Sequence, residues 1–161
     1  MTELVTQVTL ISMNTRYQLH ASLGYRLSLS ARLQERRLDD GLKTLGLTRI
    51  TWCVLLAIGN EALRRPSEIA KFVGIDRTAT SRALRQLEGD GVISRANGDS
   101  DGRTRSVELT PKGSDLLARG TPMAIENNAI MESRITAEER AQLLTLLNKI
   151  NEGEDISLAR L

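Results

Sequence analysis

A mainly α chain with one small antiparallel β-wing is the fold class this sequence predicts, and three observations predict it. Apolar residues recur at steps of three, four and seven through most of the 161 residues, the mark of helices that bury one face. Two short stretches, residues 92–95 and 105–109, cluster or alternate apolar side chains as strands do, and Asn97-Gly98-Asp99-Ser100-Asp101-Gly102 between them is dense in turn formers. No internal repeat or low-complexity tract interrupts the pattern, so the order reads helix, helix, helix, turn, helix, hairpin, helix, helix.

Each element has its own signal. Residues 1–19 alternate apolar and polar without punctuation and are read as an arm or an added helix. Over residues 20–45, Leu23, Leu27, Ala31, Leu38, Leu42 and Leu45 share one helical face, with Arg32, Glu35, Arg36 and Asp39 on the charged side. Residues 47–58 form a more apolar helix that belongs in a core, capped by Thr48 and stopped near Gly59-Asn60. Pro66 suits the first turn of a short helix that buries Ile69, Ala70 and Val73 and ends at Gly74. Asp76 sits where a carboxylate can accept orphan backbone N–H bonds, and a helix from Arg77 to about Asp90 follows. After the hairpin, Thr110-Pro111 caps and starts a helix toward Ser133, which Pro122 is expected to kink. Thr136 starts the last helix, with Glu138 and Glu139 in its positive-ended first turn.

Composition removes several function classes. Four aromatic residues, Tyr17, Tyr25, Trp52 and Phe72, are too few for the stacking platforms of single-strand binders. A single cysteine, Cys53, makes no internal disulfide, and no Cys/His cluster stands ready for zinc, so a reducing compartment and no metal or other cofactor are expected. The longest apolar run, residues 52–58, is far short of a membrane span, and Glu3 stands where a secretory signal wants positive charge, which reads as cytoplasmic. A single His and a single Cys, with no Gly-rich phosphate loop after a strand, make poor catalytic material, so no enzyme is expected.

The middle of the chain carries the functional signal. Two short helices joined by a glycine-containing turn need a small residue where they cross, and Ala70 and Gly74 provide it. On a helical wheel Thr80, Ala83, Leu84 and Leu87 fall on one side of the second helix. Thr78, Ser81, Arg82 and Arg85, with Gln86 at the margin, point the other way, and no carboxylate interrupts them before Glu88 and Asp90. Arginine presents two donors to guanine, hydroxyls serve bases or phosphates, and the N-terminal amides favour phosphate. Arginine-bearing helix faces are ordinarily just solvated. The hairpin tips the balance: Arg103 and Arg105 follow an apex from which a β-wing reaches phosphates or a minor groove. Together these elements compose a winged helix-turn-helix. Charge agrees, with 11 basic and 8 acidic residues from Arg64 to Arg119 against 11 and 12 elsewhere. Asp101 is read either as a brace for the wing beside Arg103 or as a solvated carboxylate.

Ser67-Glu68-Ile69-Ala70, then Asp76-Arg77-Thr78, Thr80-Ser81-Arg82-Ala83-Leu84, Leu87-Glu88 and Gly91-Val92-Ile93 stand in an ordered series. Asp101-Gly102-Arg103 and Leu109-Thr110-Pro111-Lys112-Gly113 follow. In order and spacing these pieces resemble the MarR family of bacterial transcription regulators, with its Asp-x-Arg wing and Leu-Thr-x-x-Gly entry into a long helix. Thr80 departs from the β-branched aliphatic residue common there, and Arg65 from the usual Ser or Thr cap.

The resemblance implies a homodimer whose first and last helices interlock and present two reading helices to pseudo-palindromic double-stranded DNA. Independently, Leu143, Leu144, Leu146 and Leu147 are too many for one narrow core stripe, so something must cover them. The expected organisation is an N-terminal arm and dimerisation helix over 1–47, the winged helix-turn-helix over 48–110 and C-terminal dimerisation helices over 111–161. The expected DNA-facing set is Ser67, Arg77, Thr78, Ser81, Arg82, Arg85, Arg103 and Arg105. A repressor released by a small aromatic or anionic effector is the functional expectation, and Tyr17, His20, Tyr25 and Trp52 are the candidate effector pocket. Ordinary alternatives stand beside these: a solvated His20, and Trp52 packed in the core. Cys53, inside an apolar helix, is read as an inert thiol. The rival function is a winged-helix module that binds protein and no DNA.

Overall fold

Side-chain caps set most of the helix starts in the computed structural model, which describes residues 16–97 and 105–154. The chain divides into two compact units, residues 1–35 and 36–161. In the first, a 3-10 turn (Leu19–Ala21) precedes helix α1 (Leu23–Lys43), which runs on into the second. The start of α1 lies three residues later than the apolar spacing suggests. Ser22 is the reason: its hydroxyl accepts the Tyr25 N–H at 3.3 Å and so acts as the cap. At the other end the N–H of Leu47 returns to the carbonyl of Leu42, and Gly46 takes φ 71°.

Thr48 caps helix α2 (Arg49–Gly59) reciprocally with Thr51, each hydroxyl accepting the other residue's backbone N–H. Thr51, Trp52, Val54, Leu55, Ala57 and Ile58 are buried, so α2 is the central rod of the second unit. It packs on helix α3 (Pro66–Val73), helix α4 (Arg77–Gly89), strand β2 (Arg105–Leu109) and helix α5 (Pro111–Glu132). Strand β1 (Ile93–Asn97) pairs antiparallel with β2 in the register Ile93 with Leu109 through Asn97 with Arg105. It starts one residue after the expected point because the Val92 N–H is already taken by the carbonyl of Leu87. The outer edge of β2 is closed where the Val107 N–H bonds to the carbonyl of Arg64.

Between α3 and α4 the turn is tight. Gly74 adopts φ 73°, a left-handed conformation an L side chain disfavours, and the N–H groups of Gly74 and Ile75 both return to Ala70. Arg65 stands at the cap of α3 without capping it, and Glu68 reaches back to its N–H instead. Thr80 is buried at 2% exposure with its hydroxyl bonded to the carbonyl of Asp76 at 2.8 Å, so a polar residue occupies the core without an orphan donor.

Thr110 caps α5, which continues unbroken through Pro122. Thr136 and Glu139 form the capping box of helix α6 (Ala137–Ile150). No residue of α6 is buried: Leu143, Leu144, Leu146 and Ile150 are about half exposed, as are Ile125 and Met131 of α5. Apolar side chains exposed together in this way mark a candidate contact surface. No helix among the described residues is long and apolar enough to cross a membrane.

Candidate nucleic-acid interface

The candidate interface is the outward face of α4. Its start is fixed by Asp76, whose carboxylate accepts the Ala79 N–H at 2.8 Å, and its underside by Thr80, Ala83, Leu84 and Leu87, all buried. An amphipathic helix held this way leaves Arg77, Thr78, Ser81, Arg82, Arg85 and Gln86 exposed. Arg85 bends back along the helix, donating from Nε to the Ser81 carbonyl at 3.3 Å. Ser67 is exposed in the first turn of α3. Arg105 lies in β2 opposite Asn97, whereas Asp101 and Arg103 lie outside the described residues.

Charge is graded along α4. Three guanidinium groups occupy its N-terminal and central turns, and beyond the Asp76 cap the next carboxylate is Glu88 in its last turn. Glu88 there is engaged: its Oε2 lies 3.1 Å from Nε of Arg95, a β1 side chain only 15% exposed. This pair ties α4 to the hairpin, a contact that helical periodicity does not register. A carboxylate near a helix end followed seven residues later by an arginine in a strand was the available signal.

A second overlooked set joins the end of α4 to the start of α5. Lys112 donates from Nζ to the Asp90 carbonyl at 2.7 Å. The Thr110 hydroxyl lies 2.7 Å from the Gly91 carbonyl and 3.1 Å from that of Val92, and the Thr110 N–H also bonds to Val92. Gly113 explains itself here, because a Cβ at that position would run into the Val92 carbonyl.

Of the residues singled out for an effector, His20 and Tyr25 meet edge to face at 4.6 Å, and Tyr17 is 75% exposed. Trp52 is buried at 2% in the core of the second unit. That unit has a cavity of about 290 Å³ bordered by Asp39, Lys43 and residues 47–50. Another of about 260 Å³ is bordered by Gln86, Leu87, Asp90, Val92, Lys112, Leu116 and residues of the α1–α2 turn. None of the four singled-out residues lines either cavity. Burial pushes the Cys53 thiol up, against a smaller opposite pull from the Arg49 guanidinium, so at neutral pH it is a protonated thiol.

A cored helix-turn-helix with an antiparallel hairpin and long flanking helices defines the winged helix-turn-helix class of regulators. Residues 45–104 match the model of the MarR family. Among solved structures it is similar to Escherichia coli MarR, in a mutant form complexed with operator DNA, at 27% identity and a TM-score of 0.72. That match covers 80% of this chain and 92% of the other. The fold also matches S. aureus MepR in a DNA complex at 23% identity, a TM-score of 0.73 and coverage of 80% and 96%. It matches the organohalide-sensing regulator RdhR-CbdbA1625, in its 2,4-dichlorophenol-bound form, at 17% identity, a TM-score of 0.75 and coverage of 89% and 88%.

Proposed function

We propose that this chain is a sequence-specific double-stranded DNA-binding transcription regulator, a cytoplasmic repressor that acts as a homodimer on a pseudo-palindromic operator. The observation that carries the reading is the outward face of α4, where hydroxyls and guanidinium groups stand clear of the core and, past the Asp76 cap, no carboxylate follows until Glu88. Arg82 reads a base edge, Thr78 and Ser81 meet bases or phosphates, and Arg77, Arg85 and Ser67 seat the helix on the backbone. Arg103 and Arg105 serve the wing, and Asp101 braces it. The MarR and MepR structures that hold DNA support this assignment.

The exposed leucines of α6 and the apolar residues of α5 support dimerisation, since a second copy is a self-complementary cover for them. Two-fold symmetry then sets the reading helices about 34 Å apart, or a multiple, to meet successive major grooves. A small aromatic or anionic effector that prefers a dimer with mis-spaced reading helices draws the population off DNA; the dichlorophenol-bound regulator supports that part of the reading. Tyr17, His20 and Tyr25 are the residues proposed to serve it; Trp52, packed in the core of the second unit, is not among them.

Duplex affinity measured against salt tests the reading. Neutralised phosphates release counterions, so log K should fall against log salt with a slope of about −0.9 per phosphate contact, and several contacts are expected. A protein that leaves duplex DNA untouched at low salt, yet folds, is a protein-binding module instead.

A further inference from the structure

We propose that Lys112 is a positioning residue that fixes the reading helix α4 to the long helix α5, and through it sets the spacing between the two reading helices of the dimer. The inference deepens the duplex-binding reading and rests on it.

Lys112 is the second residue of α5, in the first turn after the Thr110 cap and Pro111. A cation there opposes the positive end of its own helix dipole, so α5 gains nothing electrostatically from a lysine at this place. Its ammonium is instead directed to the other helix, donating to the carbonyl of Asp90, the residue that closes α4, at 2.7 Å. That carbonyl belongs to the negative end of α4, where a cation is favoured. Thr110 holds the next two carbonyls, of Gly91 and Val92, and Gly113 allows no clearance between α5 and Val92. The end of α4 is thereby pinned to the start of α5 at three successive carbonyls.

The consequence is geometric. Helix α5 has 22 residues, and its far half bears Ile125 and Met131, part of the apolar surface proposed to face the second copy. A helix of that length spans about 33 Å, and α5 stays helical through Pro122, so whatever fixes the start of α5 to α4 also fixes the reading helix relative to the dimer interface. Among the three contacts, Lys112 is the one that can be removed cleanly. Thr110 is also the cap of α5 and Gly113 has no space for a side chain, whereas Lys112 is exposed and its ammonium donates outward to the Asp90 carbonyl.

The test uses the full chain and two probes: the symmetric duplex recovered by the wild-type protein from a random pool, and the same duplex with one base pair inserted at its centre. The insertion moves the half-sites apart by about 3.4 Å and rotates one against the other. Wild type should prefer the first probe strongly. K112M should keep the wild-type circular dichroism and salt slope but lose about fivefold of that preference, by weaker binding to the first probe. K112R, which keeps a cationic donor, should restore it. A preference unchanged in K112M, or not restored by K112R, overturns the proposal, and so does a salt slope reduced by about one, which would make Lys112 a phosphate contact. Should the wild-type protein recover no duplex, the functional reading itself fails; should it recover one that K112M treats identically, only the role of Lys112 does.

Discussion

Gly120→Ala should lower the folding stability by about 2 kcal/mol and shift the fluorescence of Trp52 to longer wavelength. Helix propensity alone predicts the opposite, since alanine replaces glycine in a helix interior with a gain of about 0.5–1 kcal/mol. Packing decides the sign. A Cβ on Gly120 would lie 2.5 Å from Cζ3 of Trp52 and 2.9 Å from Cη2, and this indole is 2% exposed in the centre of the core. The ring is rigid and close-packed around its edge, so it must tilt or α5 must move away from α2, and overpacking of this kind costs about 1–3 kcal/mol. Because Trp52 is the only tryptophan, urea unfolding followed by its emission and by circular dichroism reports both effects. An unchanged or raised midpoint would mean that α2 and α5 do not approach as closely as described.

Arg82→Ala should weaken binding to the preferred duplex by about 1–3 kcal/mol, roughly five- to 150-fold, and relax the sequence preference at one position in each half-site. The side chain lies exposed on the face of α4 opposite Ala83 and Leu84, so its removal leaves the core untouched and stability should change by no more than about 0.5 kcal/mol. A loss spread evenly over all duplex sequences, with a shallower salt dependence, would instead make Arg82 a phosphate contact. Arg85 is the useful comparison, since its guanidinium leans back on the Ser81 carbonyl and should read less sharply.

Much of this architecture was legible from residue types at helix boundaries. Thr48, Asp76, Thr110 and Thr136 mark four helix starts by the same chemistry, an oxygen that accepts an orphan N–H, and each caps the helix it introduces. The division of α4 into a buried and an exposed face follows from 3.6-residue periodicity, which depends only on local spacing. What stayed illegible depends on partners distant in sequence. Arg95 with Glu88, and Lys112 with the Asp90 carbonyl, join separate elements through single contacts that leave no periodic trace. The start of α1 moved because one hydroxyl, that of Ser22, took a backbone N–H, a choice apolar spacing does not register. Trp52 was open to two readings because an aromatic in an apolar helix looks alike in a core and in a pocket; Gly120, 68 positions away, is what places it against α5.

The face of α4 carries the functional account, and selection of bound duplexes from a random pool by this chain tests it most directly. The predicted outcome is an enriched inverted repeat whose half-sites are centred about one helical turn, roughly 34 Å, or a multiple apart. Recovery of no motif above the starting pool, or of one lacking any two-fold relation, would contradict it.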